Sequence, residues 1–302
     1  MTGIFWALVT VLAWGSWLAP SQNVPMKGQQ TRTFYVTLAV MALAIIVGLF
    51  VGLETLTWST FWFPFIGGLI WSVSGWSAFV GTSHLGMAKA FGIWAPLNII
   101  TSIVWGIILF GEFIDTELSN ILLAIVSVLI IIGGILMIIF AGESGEKTAE
   151  SKKYRTLGLL GAFGAGVGFA TYFIPINIGT KGETDFTMWI GTLPLSIGMF
   201  VGAIVLVLIS KSPIKLEQPS HYARVLSTGL LWGIGNYGAL RMMEIIGTGP
   251  GFTIAQLCVV VNALIGIFWL KSPAPKSRAA TLTLIGVIIA MIGGVILGNL
   301  KA

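Results

Sequence analysis

The amino-acid sequence predicts an all-α, polytopic membrane protein with ten transmembrane helices arranged as two inverted five-helix repeats. Three observations support this fold class: the composition, a series of long apolar stretches and an internal repeat. Hydrophobic residues occupy 56% of the 302 positions and charged residues only 9%, whereas roughly a quarter of the residues in soluble domains are charged. A mean hydropathy of +0.96 would leave a water-soluble fold without enough polar surface.

Ten stretches are apolar enough to cross a bilayer, for which a helix needs about 20 residues. They cover residues 3–20, 34–53, 61–81, 88–110, 119–140, 157–175, 187–209, 223–240, 250–270 and 280–299. The connections are short, and only the Gly-, Ser-, Lys- and Glu-rich run after the fifth stretch is typical of a linker. We therefore divide the chain into a first five-helix repeat (1–142), a cytoplasmic linker (143–156) and a second five-helix repeat (157–302).

The two halves match each other in four of their five spans, in the same order. The first spans align from Gly3 and Gly158, and the third spans align from Gly68 and Gly229. Further matches are Gly106 with Gly266 and the pair Gly133-Gly134 with Gly293-Gly294. Because each half has an odd number of spans, the second half enters the membrane from the opposite side. Inverted repeats of this kind are typical of secondary transporters, whose solute site lies near the midplane between the repeats.

The distribution of positive charge predicts the orientation. All but Lys181, Arg241 and Lys301 of the 16 Lys and Arg residues fall in loops that follow odd-numbered spans. The positive-inside rule then places the protein in the cytoplasmic membrane with both termini outside the cytoplasm. Because the basic residues are scattered over short loops, they indicate contact with the lipid bilayer and not with nucleic acid. The sequence contains no metal-ligand cluster, cofactor motif or catalytic constellation, so we expect no cofactor and no enzyme activity.

Several motifs suggest a family. Pro20 and Pro175 end the first span of each half, and the fourth span contains Trp94-Ala95-Pro96 and ends in Phe110-Gly111-Glu112. With these features the chain resembles the ten-helix branch of the drug/metabolite transporter superfamily. Trp14-Gly15-Ser16-Trp17 with Pro20, and the run Trp94 to Asn98, resemble the glucose/ribose uptake porters and the related rhamnose–proton symporters.

This resemblance implies an alternating-access carrier with a central pocket lined by spans one, three, four, six, eight and nine. The chain departs from the small four-helix multidrug relatives, which have a membrane-buried Glu in their first helix. This sequence has only Trp14, Ser16 and Trp17 there, which argues against proton-coupled export of cationic drugs.

Aromatic rings and amides within the spans are the candidates for binding a solute. A flat ring can stack on the apolar face of a sugar, and an amide in hydrocarbon requires a hydrogen-bonding partner. The alternative for each amide is a bond to a neighbouring helix, and for each Trp a place in the interfacial belt. The candidate substrate-binding residues are Trp14, Trp17, Gln22, Asn23, Trp71, Trp76, Asn98, Tyr172, Asn177, Trp232, Asn236, Tyr237, Gln256 and Asn262.

His84 and Glu244 occupy equivalent positions in the two halves and are the candidates for coupling to protons; the alternative is a structural role in connections that water reaches. The leading hypothesis is a secondary carrier for a small neutral solute, most simply a monosaccharide of the glucose or ribose type. An exporter of amino acids or other charged metabolites is the alternative, and it would require Lys89 or Arg241 inside the cavity. A membrane sensor or intramembrane enzyme is the alternative outside the transporter class. The glycine pairs indicate either packing of the fifth span on the tenth or a contact between two copies in a homodimer.

Overall fold

The computed structural model describes residues 2–111, 117–141, 149–180, 186–246, 251 and 254–300, and this part of the chain is helical without a strand. The helices in chain order are α1 (Thr2–Ser16), α2 (Gln29–Val51), α3 (Trp58–Leu85), α4 (Met87–Phe110), α5 (Leu118–Phe140), α6 (Ala149–Thr171), α7 (Phe173–Gly179), α8 (Met188–Ser210), α9 (Pro219–Ile246), α10 (Cys258–Leu264) and α11 (Arg278–Gly298). A 3-10 segment, Ala19–Ser21, follows α1, and a π-helical segment, Ile265–Trp269, continues α10.

Eight helical stretches in the described part of the chain are long and apolar enough to cross a membrane. They are Gly3–Ser21, Gln29–Val51, Trp58–Leu85, Met87–Phe110, Leu118–Phe140, Lys152–Gly179, Met188–Ser210 and Arg278–Gly298, and they coincide with predicted spans one to seven and ten. Predicted span eight lies in α9, which has 28 residues but contains polar residues such as Arg224 and Asn236 that lower its hydropathy. Predicted span nine is described only as the shorter apolar helix Cys258–Trp269.

The helices α1 and α6 are interrupted at positions that match in the predicted repeat. A proline has no backbone N–H, so it cannot donate to the carbonyl four residues before it. Pro20 lies four residues after Ser16, where α1 ends, and Pro175 lies four residues after Thr171, where α6 ends. The chain continues as a short helical segment in both cases. α6 also begins at Ala149, inside the predicted linker, and residues 142–148 of that linker lie outside the described residues.

Close helix crossings depend on glycine. A Cβ atom on Gly68 of α3 would collide with the carbonyl oxygen of Leu195 on α8, and one on Gly229 of α9 would collide with that of Val36 on α2. Small residues of this kind let the backbones of membrane helices approach one another. α3 packs against α6 and α8, and α9 packs against α1 and α2. The remaining major contacts join α5 to α11, α2 to α8, α4 to α6 and α1 to α10.

One glycine of each pair, Gly134 and Gly293, lies at the α5–α11 contact. A Cβ atom on Gly134 would lie 2.5 Å from the Gly286 carbonyl oxygen, and one on Gly293 would lie 2.7 Å from that of Ser127. A Cβ atom on Gly133 would have no neighbour within 4 Å. The fifth span therefore packs on the tenth within one chain, and the homodimer stays a prediction.

Large apolar side chains cover the outside of the bundle. On α5, Leu122, Ile125 and Leu129 are exposed, and on α11 Ile288 and Ile292 are exposed. A water-soluble protein of this size rarely exposes continuous apolar faces of this kind. Exposed apolar faces of this kind are typical of a multi-pass membrane protein.

Candidate functional site

A cavity of about 170 Å³ lies at the centre of the bundle. It is smaller than the roughly 300–1,000 Å³ of pockets for drug-sized ligands, so it suits a small solute. Residues of α1, α3, α4, α6, α7 and α9 line it, together with the start of α10. They are Trp14, Trp17, Trp71, Phe91, Trp94, Ala95, Asn98, Ser102, Phe169, Tyr172, Phe173, Trp232, Gln256 and Cys258.

Aromatic rings form most of the cavity wall. The ring centres of Trp71 on α3 and Trp232 on α9 lie 4.9 Å apart in an edge-to-face arrangement. Phe169 on α6 lies 5.7 Å from Trp71 and 6.3 Å from Trp94. The indole of Trp14 donates a hydrogen bond of 3.1 Å to the carbonyl oxygen of Trp232, which fixes α1 against α9. Rings held by one another in this way present rigid faces on which an apolar surface can stack.

Glycines make room for these rings. A Cβ atom on Gly235 of α9 would collide with the indole of Trp14, and one on Gly75 would lie 2.7 Å from the ring of Trp71. Both positions therefore let an indole lie flat against a helix beside the cavity.

Polar groups are few in the lining, and none of them is charged. Asn98 of α4 and Gln256, just before α10, supply amides, and the Ser102 hydroxyl donates to Asn98 Oδ1 at 3.4 Å. The Nε1 atom of Trp71 is buried and has no hydrogen-bond partner among the described residues. The site can thus donate to and accept from hydroxyl groups, but it has no carboxylate, ammonium or guanidinium to pair with an ion.

Seven of the candidate residues lie outside the lining. Three of their amides bond to neighbouring helices: Gln22 Nε2 donates to the Thr82 carbonyl at 2.8 Å, Asn236 Nδ2 to Thr192 Oγ1 at 3.3 Å, and Asn262 Nδ2 to the Gly15 carbonyl at 3.2 Å. Each of these bonds joins two segments of the bundle. The remaining four are Asn23 and Asn177, which are exposed, Trp76, which is half-buried, and Tyr237, whose ring lies 5.0 Å from that of Trp189.

The two coupling candidates lie near the ends of α3 and α9 and outside the central cavity. His84 is exposed, and its ring stacks on Tyr154 with the ring centres 5.4 Å apart. Glu244 is also exposed; it accepts a hydrogen bond of 2.7 Å from Trp189 Nε1 and forms an ion pair of 2.8 Å with Arg241.

Sequence reasoning missed seven of the lining residues: Phe91, Trp94, Ala95, Ser102, Phe169, Phe173 and Cys258, although Trp94 and Ala95 belong to a motif quoted for the family resemblance. Four of them share a helix with Asn98, at spacings of three, four and seven residues, which place side chains on one helical face. Extending the face of Asn98 by this period would have found Phe91, Trp94, Ala95 and Ser102. Among the described residues, no group of three His, Cys, Asp or Glu side chains could hold a metal ion.

Comparison with known proteins gives a consistent result. A family model described as "Sugar transport protein" matches residues 5–300. A protein of Enterococcus faecalis named "Putative sugar uptake protein" is 28% identical over 298 residues, which cover 98% of each chain. The "Probable glucose uptake protein GlcU" of Priestia megaterium is 26% identical over 301 residues, which cover 99% of each chain. A solved crystal structure with 17% sequence identity has a TM-score of 0.61 over 98% of this chain and 97% of its own, a likeness that concerns the fold alone.

Proposed function

The chain belongs to the sugar transport protein family, and from this premise we propose that it carries a neutral monosaccharide across the cytoplasmic membrane by alternating access. The solute binds in the central cavity, against the aromatic rings that line it. The amides of Asn98 and Gln256 bond to its hydroxyl groups. Glucose is the first candidate because the related GlcU is named a glucose uptake protein.

The uncharged, aromatic lining is the observation that supports a neutral solute most directly. A sugar ring has an apolar face that stacks on indole and hydroxyl groups that both donate and accept hydrogen bonds. The buried Trp71 N–H lacks an acceptor, and an unpaired buried donor is costly. Trp71 has no exposed surface, so a solute hydroxyl would reach this N–H only in a conformation that turns the indole N–H towards the cavity.

An exporter of charged metabolites is poorly supported. Such a carrier needs a charge partner in its cavity, and the two candidates for that role were Lys89 and Arg241. Neither belongs to the lining, and Arg241 is exposed and paired with Glu244. A charged solute in this cavity would lose its hydration without gaining an ion pair, which is strongly unfavourable.

Alternating access rests on two inverted halves of five spans each, residues 1–142 and 157–302. In this proposal α9 and α10 complete the ten spans. The helix contacts support the repeat: α3 meets α6 and α8, and the equivalent α9 meets α1 and α2. Likewise α4 meets α6, and the equivalent α10 meets α1. Trp71 and Trp232, which match in the two sequences, meet at the centre of the molecule.

Uptake of radiolabelled glucose, ribose and rhamnose into proteoliposomes tests the proposal. We expect at least one of them to enter faster than into protein-free liposomes, and an excess of the unlabelled sugar to compete. Alanine, a polar zwitterion that carries two opposite charges, is compared with the neutral sugars and should not enter the proteoliposomes. Entry of alanine without entry of any sugar would refute the neutral-solute proposal.

A further inference from the structure

A second, larger cavity of about 550 Å³ lies at one end of the bundle. Its walls come from the connection between α1 and α2, the connection between α8 and α9, and the first turn of α2. The lining residues are Pro25, Met26, Lys27, Thr31, Pro213, Lys215, Leu216 and Glu217. The positive-inside rule assigns this end to the cytoplasm in the orientation proposed above.

A series of contacts between three side chains leads from the central cavity towards the second cavity. Trp17 lines the central cavity, and its ring centre lies 5.6 Å from that of Phe79. On Phe79 lies the guanidinium of Arg32, with its Cζ atom 5.4 Å from the ring centre. Arg32 follows Thr31, which lines the second cavity. We call Trp17, Phe79 and Arg32 the barrier layer.

Arg32 is the unusual member of the barrier layer. It is a charged residue with only 2% of its surface exposed, and its Nε and Nη1 atoms are buried without a hydrogen-bond partner. Its charged neighbour is another guanidinium, that of Arg224, which repels it. No carboxylate among the described residues pairs with it; the ion pair of the described part joins Arg241 to Glu244. The contact with Phe79 offsets part of the cost of burying this charge, but an unpaired buried charge remains strongly unfavourable.

Other buried polar atoms without a partner lie near Arg32, Arg224 and Phe79 in the sequence. Gln22 Oε1, Gln29 Oε1 and His221 Nδ1 are buried and have no partner. Gln29 precedes Arg32 by three residues, and His221 precedes Arg224 by three. The other end of the Gln22 amide bonds to the Thr82 carbonyl, three residues after Phe79. This end of the bundle therefore has both donors and acceptors unsatisfied, and a polyhydroxyl solute can satisfy both kinds.

We propose that the solute leaves the central cavity through the barrier layer into the second cavity, and that Arg32 binds its hydroxyl groups in transit. This inference rests on the proposed sugar transport. The solute would leave through the space between α1, α2, α3 and α9. Arg32 would act during this passage and would not contribute to binding of the solute in the central cavity.

The burial of Arg32 also predicts an unusual sign for its replacement. When the barrier layer is closed, the guanidinium is buried from water and has no ion-pair partner. An apolar side chain of similar length fits the same space without the cost of removing a charge from water. Arg32→Met should therefore stabilise the closed conformation and raise the melting temperature in detergent by a few degrees. An arginine that merely anchors the helices would give the opposite result, because its removal would lower the melting temperature.

The experiment compares wild type, Arg32→Met, Arg32→Lys and Arg278→Met. Arg278 is the matched control because it is an exposed arginine at the start of α11. Three quantities are measured: the Kd of the sugar in detergent, the rate of sugar exchange in proteoliposomes, and the melting temperature. For Arg32→Met we expect an unchanged Kd, an exchange rate lower by about tenfold or more, as for loss of a hydrogen bond to a charged group, and a raised melting temperature. For Arg32→Lys, the exchange rate and the melting temperature should lie between those of wild type and Arg32→Met. Arg278→Met should match wild type in all three quantities.

Exchange at the wild-type rate in Arg32→Met would refute the inference, as would a loss of affinity that accounts for the whole loss of exchange. A lowered melting temperature with slow exchange would make Arg32 a structural anchor and would also overturn it. The wild-type arm tests the proposed function separately. If wild type and Arg32→Met exchange sugar at the same rate, only the proposed exit route is wrong. If wild type exchanges no sugar, both the proposed function and this inference are wrong.

Discussion

Asn98 and Gln256 provide the amides of an otherwise aromatic cavity, and each should contribute to affinity for the sugar. Replacing either by Ala removes one hydrogen bond to a hydroxyl group, so we expect Kd to rise about three- to tenfold. Quenching of tryptophan fluorescence by added sugar measures Kd, since several indoles line the site. Asn299→Ala is the control, because Asn299 is exposed at the end of α11 and bonds to the carbonyl of Val295. Wild-type affinity in both cavity variants would show that the sugar does not reach these amides.

Cys258 offers an independent measurement because it is the single cysteine of the chain and lines the central cavity with 5% of its surface exposed. A small, membrane-permeant maleimide should label it slowly, and a saturating sugar should slow the labelling further because the sugar occupies the same space. Mass spectrometry of the intact protein gives the labelled fraction over time, with Cys258→Ser as the blank. Labelling at the same rate with and without saturating sugar would contradict the assignment of this cavity as the binding site.

The amides show what sequence can and cannot predict about single residues. Asn98 and Asn262 lie in the fourth predicted span of each half, and the residues around them are equally apolar. The sequence therefore gives both as candidate solute ligands. In the structure Asn98 lines the cavity, whereas Asn262 bonds to the Gly15 carbonyl. A buried amide needs a partner in either case, and sequence alone does not tell which helix face meets another backbone. Arg32 is a second example: it was counted among the loop charges, but the first turn of α2 buries it.

At the level of helices, the crossings of α3 with α8 and of α9 with α2 depend on Gly68 and Gly229. We expect Gly68→Ala and Gly229→Ala each to destabilise the protein by about 1–3 kcal/mol, as overpacking does in closely packed cores. The added methyl group would meet a backbone carbonyl, which cannot rotate away. The loss of folded protein during heating in detergent measures the effect.

Gly133→Ala is the matched control for these glycine substitutions. It also adds one methyl group within a membrane helix, but the new Cβ would have no neighbour within 4 Å. Its stability should be unchanged or slightly higher, because Ala favours helix by up to about 1 kcal/mol over Gly. Equal destabilisation at all three positions would indicate a general effect of alanine and would remove the argument from close crossing.

The helices themselves were predictable to different degrees. The long apolar stretches predicted α4, α5 and α8 closely, because hydrocarbon thickness sets their length, whereas α2 begins before its predicted span, at Gln29. α9 extends well beyond predicted span eight because its ends, which include His221 and Glu244, are polar yet remain helical. Apolarity marks the membrane part of a helix, whereas helix length also depends on contacts that sequence does not show. The sequence predicts that the first spans end at Pro20 and Pro175; the helices instead break four residues earlier, after Ser16 and Thr171, at the carbonyl to which each proline cannot donate.

For the molecule as a whole, the two halves of the proposed repeat agree in helix contacts but differ in their polar residues. At one end, Arg32 is buried from water in the barrier layer, near the second cavity. At the other, the ion pair of Arg241 and Glu244 is exposed beside Trp189. A carrier with symmetric backbones and asymmetric ends can favour one of its two conformations without solute, because the energetic cost of closing each end differs. The direction of net transport still follows the sugar gradient unless a second ion is coupled to it.

Coupling to protons is the last property that the site allows us to predict. A coupled proton must bind where both sides of the membrane reach it in turn, and intramembrane carboxylates and histidines usually serve this role. The cavity lining contains neither, and the two candidates, His84 and Glu244, are exposed outside the cavity. We therefore expect facilitated diffusion: the initial rate of sugar uptake into proteoliposomes should be the same with and without an inward proton gradient, and His84→Gln and Glu244→Gln should transport as wild type does. Collapsing the gradient with a protonophore is the control. Stimulation by the gradient in wild type that disappears in one of these variants would identify that residue as the proton carrier and make the protein a symporter.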